Sequence, residues 1–270
     1  NLDGCPKLGE INVILITNLN TLSFKDSKDL KTLVLEGSFA KEDENGEPTA
    51  LDISVCPGLS KFICTPNLGK LVLTQAQYDQ FREDLSINQE SFFGIWAVTD
   101  APDISEDWDP VFRAACIEQF DLDGNGKLSA IEAGKVSGTN ATLVIDKDTP
   151  NVGDLKSLKG IENFKYLKNI YITGATALED VDLSNQTYLT NLVLSLANGV
   201  KSLKLAEMNL AGCEKLASLD IATGLDALTT LDISESPLLV DPAKVLFGKA
   251  MKEVSATAAQ AAALSSTYPS

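Results

Sequence analysis

The sequence predicts an α/β solenoid, two short arrays of stacked parallel strands joined by a helix-loop-helix segment. Three observations lead there. A leucine pattern, Leu-x-x-Leu-x-Leu, recurs at eleven-residue steps on both sides of the chain's middle. The middle lacks that pattern and carries instead the acidic stretch Phe120-Asp-Leu-Asp-Gly-Asn-Gly-Lys-Leu-Ser-Ala-Ile-Glu132. Helical spacing of apolar residues leads into this stretch and out of it.

The first array spans residues 1–90. Leu8-x-x-Ile11-x-Val13 is followed at eleven residues by Leu19-x-x-Leu22-x-Phe24, and at eleven more by Leu30-x-x-Leu33-x-Leu35. In an extended strand alternate side chains share a face, so the last two apolar residues of each unit point inward together. One such unit cannot bury that row alone. Stacking coils at ~4.7–4.9 Å buries it against the next coil. Two elevens make a coil of about 22 residues with a strand on each side. Gly37 to Thr49 is acidic and turn-rich and reads as an outward loop before Leu51-Asp-Ile53 resumes the pattern. Leu59-x-x-Phe62-x-Cys64 and Leu68-x-x-Leu71-x-Leu73 close the series, and Tyr78, Phe81 and Leu85 fall at helical spacing in a capping helix.

Residues 91–108, with the apolar run Ser91 to Val98 and the acidic, proline-bearing stretch Asp100 to Pro110, read as a linker. Its aromatic residues Phe92, Phe93, Trp96 and Trp108 read as packing at a seam rather than as a ligand platform. Residues 109–138 form the middle segment. Val111, Phe112, Ala115, Cys116 and Phe120 recur at helical intervals and lead into a twelve-residue loop rich in oxygen donors. Counted from its start, Asp121, Asp123 and Asn125 stand at positions one, three and five. Gly126 permits the turn at six, Lys127 offers its carbonyl at seven, Ser129 acts directly or through water at nine, and Glu132 closes the set at twelve. Hard oxygen ligands in this order select Ca2+, and the chain has no histidine for a transition metal. The loop stands alone, because Asp146-Lys-Asp-Thr-Pro-Asn151 puts proline and asparagine where a ligand and the turn glycine belong. A single loop favours a structural ion over a switch.

The second array occupies residues 139–270. The pattern returns at Leu167-x-x-Ile170-x-Ile172, Leu178-x-x-Val181-x-Leu183, Leu189-x-x-Leu192-x-Leu194 and Val200-x-x-Leu203-x-Leu205. After a turn read at Ala206 to Lys215, Leu216-x-x-Leu219-x-Ile221 and Leu228-x-x-Leu231-x-Ile233 complete it. Pro237 to Phe247 is irregular, and the alanine-rich Ala256 to Leu264 reads as a helical cap.

With these units placed, the chain resembles bacterial secreted or cell-surface leucine-rich-repeat proteins carrying an EF-hand-like calcium-loop segment. Val111 to Ser129, Leu158-Lys-Gly-Ile-Glu-Asn-Phe164, and the units ending Leu219-Asp-Ile221 and Leu231-Asp-Ile-Ser234 carry the likeness. The resemblance implies two leucine-rich-repeat arrays joined by an EF-hand-like segment, an extracellular or cell-envelope location and a recognition role. One departure stands out: cysteine, serine and glutamine replace the asparagine usual in the turns of the longer repeats.

A formal charge of −16 repels nucleic acid, so none is expected as a partner. No apolar run approaches the ~18–20 residues of a membrane span. The opening Asn1-Leu-Asp-Gly-Cys-Pro-Lys-Leu8 resembles the inter-repeat turn Asn209 to Leu216, which reads as a processed or cut end and leaves room for a lipid anchor upstream. Cys5, Cys56 and Cys213 each precede a repeat leucine by three residues and read as reduced, buried thiols of one repeat position. Such thiols leave the redox compartment open. The outward residues Val34, Ile63, Tyr171 and Val193 form a candidate face for a protein or polysaccharide ligand. The leading expectation is a noncatalytic recognition scaffold. The alternative is a glycan-capture or carbohydrate-processing accessory component in which Trp96, Trp108 or Tyr171 stacks on sugar rings. No enzyme is expected, since the common general base is missing and the acids are scattered over turns.

Overall fold

The computed structural model describes residues 2–19, 22–39, 49–64, 69–81, 95–138, 141–195, 204–216, 218–220, 227–236 and 250–265. The chain divides into two compact units, Asn1–Ala101 with Leu122–Gly124, and Pro102–Asp121 with Asn125–Ser270.

In the first unit the elements run β1 (Glu10–Leu19), β2 (Thr32–Phe39), β3 (Ala50–Asp52), β4 (Lys61–Cys64), β5 (Lys70–Leu73), α1 (Gln75–Phe81) and β6 (Ile95–Val98). They build two three-stranded sheets in the orders β1-β2-β4 and β3-β5-β6, with every pair parallel. Residues Leu33, Leu35, Leu51, Leu71 and Leu73 are buried, as the alternation requires. Several sequence readings change here: Val13, read as inward, is 41% exposed, and residues 37–39, read as part of the outward loop, belong to β2. Residues 22–24 carry no strand, although Phe24 is buried. The stretch read as linker supplies β6, which pairs with β5 as the third strand of its sheet and so belongs to this unit.

The second unit opens with α2 (Pro110–Phe120) and α3 (Ala130–Lys135). Strands β7 (Thr142–Ile145), β8 (Asn169–Thr173), β9 (Asp180–Asp182), β10 (Asn191–Ser195), β11 (Glu207–Asn209), β12 (Ser218–Asp220), β13 (Thr230–Asp232) and β14 (Glu253–Ser255) follow, then α4 (Ala258–Ser265). The sheets have the orders β12-β10-β8-β7 and β14-β13-β11-β9, again all parallel. From β8 to β13 successive strands alternate between them, so the coil connecting two neighbours of one sheet passes through the other. Leu143, Ile170 and Leu192 share one inward row, and Ile145, Ile172 and Leu194 the next, all buried. Burying one such side chain contributes about 1.5–3 kcal/mol against leaving it in water, so these rows drive the stacking.

The stretch read as a turn, Ala206 to Lys215, holds a strand at Glu207–Asn209, where Met208 pairs with Val181 and is buried. The frame of this strand is Leu205-x-x-Met208-x-Leu210, with Leu205 and Leu210 both buried. Unbranched methionine fills an inward site as leucine does, and this hid the frame behind a competing eleven-residue phase. Strand β7 begins the array earlier than the pattern shows. Its free edge is closed by Gln119 of α2, whose amide donates to the Val144 carbonyl (2.8 Å) and accepts from the Val144 N–H (3.0 Å), as a paired strand would. The acidic excursion at 40–48, Val200, Leu203 and Pro237 to Phe247 lie outside the described residues, as do Phe92 and Phe93.

Between strands, each tight turn directs a carbonyl inward, and the residue three positions on donates its N–H to it: Cys56 to Ile53, Gln186 to Leu183, Cys213 to Leu210, Ser236 to Ile233. In the second unit side chains at this position also reach the turn of the coil before. Gln186 Nε2 donates to the Ile161 carbonyl (3.2 Å), Cys213 Sγ to Leu183 (3.1 Å), and Ser236 Oγ to Leu210 (2.5 Å). Burial pushes the Cys213 thiol up to about 11, which keeps its S–H a donor at neutral pH. The residues that replace asparagine therefore form a ladder of buried donors. Cys56 and Cys213 are buried thiols as read from the sequence, whereas Cys5 is exposed.

Both units carry the same device. Thr74 and Gln77 form a capping box at the start of α1, and Gln77 Nε2 donates to the carbonyls of Ile53 (2.8 Å) and Cys56 (3.0 Å). Thr257 and Gln260 repeat it at α4, with Gln260 Nε2 donating to Ile233 and Ser236, each at 2.8 Å. A glutamine at the third helical position thus caps the helix with its oxygen and closes the last turn with its nitrogen. Replacing Gln260 by alanine removes the cap and the side-chain donor to two buried carbonyls, of which Ile233 keeps the Ser236 N–H, and is expected to cost about 2–4 kcal/mol in urea unfolding, against about 1 kcal/mol for Thr257→Ala. Equal and small losses for the two variants would contradict the closure role.

Candidate functional site

The loop Asp121 to Glu132 is held at both ends by helices that the local sequence specifies. Asp109 caps α2, its Oδ1 accepting from the N–H groups of Val111 (2.9 Å) and Phe112 (3.3 Å), with Pro110 at the first helical position. The buried face of α2 is Val111, Phe112, Ala115, Cys116 and Phe120, as the spacing predicts. Trp108 is 6% exposed, its ring 5.3 Å from that of Phe112 and 5.9 Å from that of Phe164, so it packs in the core and presents no sugar platform. It also explains Gly160. This residue has φ +106°, and a Cβ there would fall 2.1 Å from the Trp108 ring, so only glycine fits.

Inside the loop, Asp121 accepts from the N–H of Asn125 (3.2 Å) and of Gly126 (2.7 Å), folding the chain back over its carboxylate. Gly124 and Gly126 take φ of 75° and 76°. Asn125 Oδ1 accepts from the Lys127 N–H (2.8 Å), and both residues are exposed. Ser129 caps α3 in a reciprocal box: its hydroxyl accepts from the Glu132 N–H (3.2 Å), while Glu132 Oε2 accepts from the Ser129 N–H and hydroxyl, each at 2.9 Å. Glu132 is 4% exposed. Of the six residues read as ligands, the carboxylates of Asp121, Asp123 and Glu132 converge, each offering an oxygen within 4.8 Å of the others. An all-oxygen cluster of this size suits a hard divalent cation. The Ser129 hydroxyl is engaged with Glu132, and the Asn125 oxygen with the loop backbone.

The support behind the loop was not visible in the sequence. Asp103 sits with its side chain 5% exposed and accepts from the Ser105 N–H (2.8 Å) and hydroxyl (2.6 Å), from Arg113 Nη2 (2.9 Å) and from the Leu128 N–H (3.4 Å). The Leu128 carbonyl in turn accepts from the Ile104 N–H (2.8 Å), so both backbone groups of Leu128 are paired with one short segment. Arg113 Nη2 also donates to the Gly126 carbonyl (3.3 Å). The loop is therefore tied down at Gly126 and Leu128 by groups that take no part in the carboxylate cluster.

The candidate ligand face is only partly outward. Val34 is buried at 7% exposure, a correction: β2 is the middle strand of its sheet, with Asn12 and Ile63 flanking Val34 in register. Ile63 is 41% exposed. Tyr171 and Val193 are half-buried neighbours in register with the exposed Val144, and the Tyr171 hydroxyl accepts from Asn191 Nδ2 (3.2 Å). Sequence reasoning missed a second aromatic pair, Tyr166 and Tyr188, 41% and 38% exposed with ring centroids 5.2 Å apart and Lys215 Nζ 3.9 Å above Tyr188.

Burial pushes the Asp103 carboxyl up, but the hydrogen bonds from Ser105, Arg113 and Leu128 outweigh it and hold the pKa at about 2. A depressed folded-state pKa stabilises above the unfolded value and is lost as pH falls through the folded one. Asp103 is expected to contribute about 2 kcal/mol above pH ~4 that disappears toward pH ~2, and Asp103→Asn should remove that part of the acid sensitivity in pH-dependent unfolding.

Residues 112–236 match a protein family described as the LRR domain of the endo-beta-N-acetylglucosaminidase EndoS. No curated protein and no solved structure matches the chain. The matched stretch, which holds the loop and most strands of the second unit, is a leucine-rich-repeat region.

Proposed function

We propose that the chain is a noncatalytic recognition scaffold, a leucine-rich-repeat solenoid that presents its surfaces to a protein or polymer outside the cell or on its envelope. In this reading Asp121 to Glu132 is an EF-hand-like loop holding a structural Ca2+. The observation that carries the calcium reading is the convergence of Asp121, Asp123 and Glu132 on a loop already fixed from behind. A bound divalent cation would neutralise three carboxylates that otherwise repel one another and would lock the turn between α2 and α3. Because Asp103 and Arg113 hold Gly126 and Leu128 independently of the cluster, the ion completes a shape rather than creating one, which favours a structural role over a switch.

The acids elsewhere support a noncatalytic reading. Asp52, Asp182 and Asp232 each accept from the N–H two residues on and shape the repeat turns, and Asp109 caps a helix. The row Val144, Tyr171 and Val193 offers a mixed apolar face on one sheet of the second unit.

A second reading is a glycan-associated accessory role. It is favoured by the match to a domain of an endoglycosidase and by the exposed Tyr166–Tyr188 pair, since tyrosine faces stack on sugar rings.

Calcium titration by calorimetry tests the leading reading. Binding is expected for the native chain and should weaken at least about tenfold in Glu132→Gln, a variant that keeps an acceptor for the Ser129 N–H and so keeps α3 capped. Circular dichroism should show the strands unchanged in that variant. No heat at millimolar calcium would sink the metal assignment.

A further inference from the structure

A cavity of about 450 Å³ lies in the second unit, lined by Ser157, Lys159, Glu162, Asp180, Asp182 and Gln186 among others. Its volume falls within the range of small-ligand sites. We infer that this cavity binds a guanidinium group, the side chain of an arginine, through the Glu162, Asp180 and Asp182 carboxylates and the amide oxygen of Gln186.

Gln186 is the observation that points to a ligand. It is 3% exposed, and its Nε2 is committed to the Ile161 carbonyl, which fixes the orientation of the amide: turned over, the amide would set oxygen against oxygen. Its Oε1 has no hydrogen-bond partner. A buried acceptor left unmade is destabilising, and a donor entering the cavity would satisfy it.

The remaining lining sets the charge of that donor. Asp180 and Asp182 project from the same face of β9, one pleat apart, and Glu162 stands on the short 3-10 turn Ile161–Asn163. Glu162 is anchored through one oxygen by the Gly160 N–H (2.9 Å), and Asp182 by the Ser184 N–H (3.0 Å). Lys159, the cation of the lining, is paired with Asp107 at the surface. The Asp180 carboxyl is pushed up by its burial and by the like charges of Glu207, Asp182 and Glu179, so a cation arriving there relieves repulsion.

The shape of the cluster selects the cation. Among the described residues, the carboxylates that gather three within 4.8 Å are those of Asp121, Asp123 and Glu132, so Glu162, Asp180 and Asp182 do not form a compact three-carboxylate cage. A guanidinium carries five N–H donors in a planar fork and no acceptor, and spans separated carboxylates in a way the compact lysine ammonium does not. This inference goes beyond the scaffold reading and uses none of the calcium-loop residues, so either can fail alone.

Titration of the full chain with Nα-acetyl-arginine amide, followed by backbone amide NMR, tests it. Shifts confined to residues 157–162 and 180–186 are expected. The neutral isostere Nα-acetyl-citrulline amide should leave them unmoved, and Asp180→Asn, at an exposed position of β9, should weaken binding about tenfold. A five-residue peptide with a central arginine binding more tightly than the single amino acid would identify a protein as the source. Equal affinity would identify a small molecule and still support the site. Equal binding of the citrulline or lysine derivative, shifts spread over the whole acidic surface, or no shift at millimolar arginine derivative would overturn it.

Discussion

Parallel strands stacked by short turns bury carbonyl oxygens, and each must meet a donor or cost about 1–3 kcal/mol. Much of the second unit follows from how that demand is met. Aliphatic rows supply the driving force, but they are indifferent to sliding along the strand; a donor fixed to one carbonyl is not. A turn N–H meets the first need of each carbonyl, and Gln186, Cys213, Ser236 and Gln260 each add a second donor from the next coil or cap, to Ile161, Leu183, Leu210 and Ile233 in turn. Three side-chain chemistries, amide, thiol and hydroxyl, serve because the requirement is for an N–H, O–H or S–H at the right reach, not for a particular residue. The donor to the Ile233 turn belongs to a helix, where Gln260 takes the part that a turn side chain plays in the coils before it.

The same economy shapes the loop. A twelve-residue loop with three carboxylates brought together is electrostatically uneasy, and Asp121 and Glu132 hold only part of its backbone, at Asn125, Gly126 and Ser129. Asp103, Ile104 and Arg113 provide further support from a short segment just ahead of α2 and from α2 itself. The carboxylates of Asp121, Asp123 and Glu132 gather together, while Gly126 and Leu128 are committed to the protein. Glu132 joins the two roles, capping α3 through one oxygen while its carboxylate closes the cluster.

What could be read from the sequence was whatever repeats or keeps fixed spacing. Leu167-x-x-Ile170-x-Ile172 and its successors located β8, β9 and β10, and the order of acids in 121–132 located the cluster. The reading failed where a substitution preserved physics but not letters, as at Met208, and where a strand lacks the leading leucine, as in β7. It failed again where partners are distant in sequence. Nothing local marks Asp103 as the anchor of Leu128, and nothing marks Gln186 and Asp180 as walls of one cavity. Val34 was read as outward from its strand parity, and its burial depends on neighbours that parity does not describe.

The central claim is that the loop is shaped by the protein and completed by an ion. Hydrogen–deuterium exchange with calcium and with chelator tests it most directly. The account predicts that the Ile104 and Leu128 amides are protected in both conditions, and that calcium adds protection only within residues 121–132. Exchange of Ile104 and Leu128 at unprotected rates without calcium, or protection that spreads into the strands when calcium is added, would contradict it and make the ion the organiser of the fold.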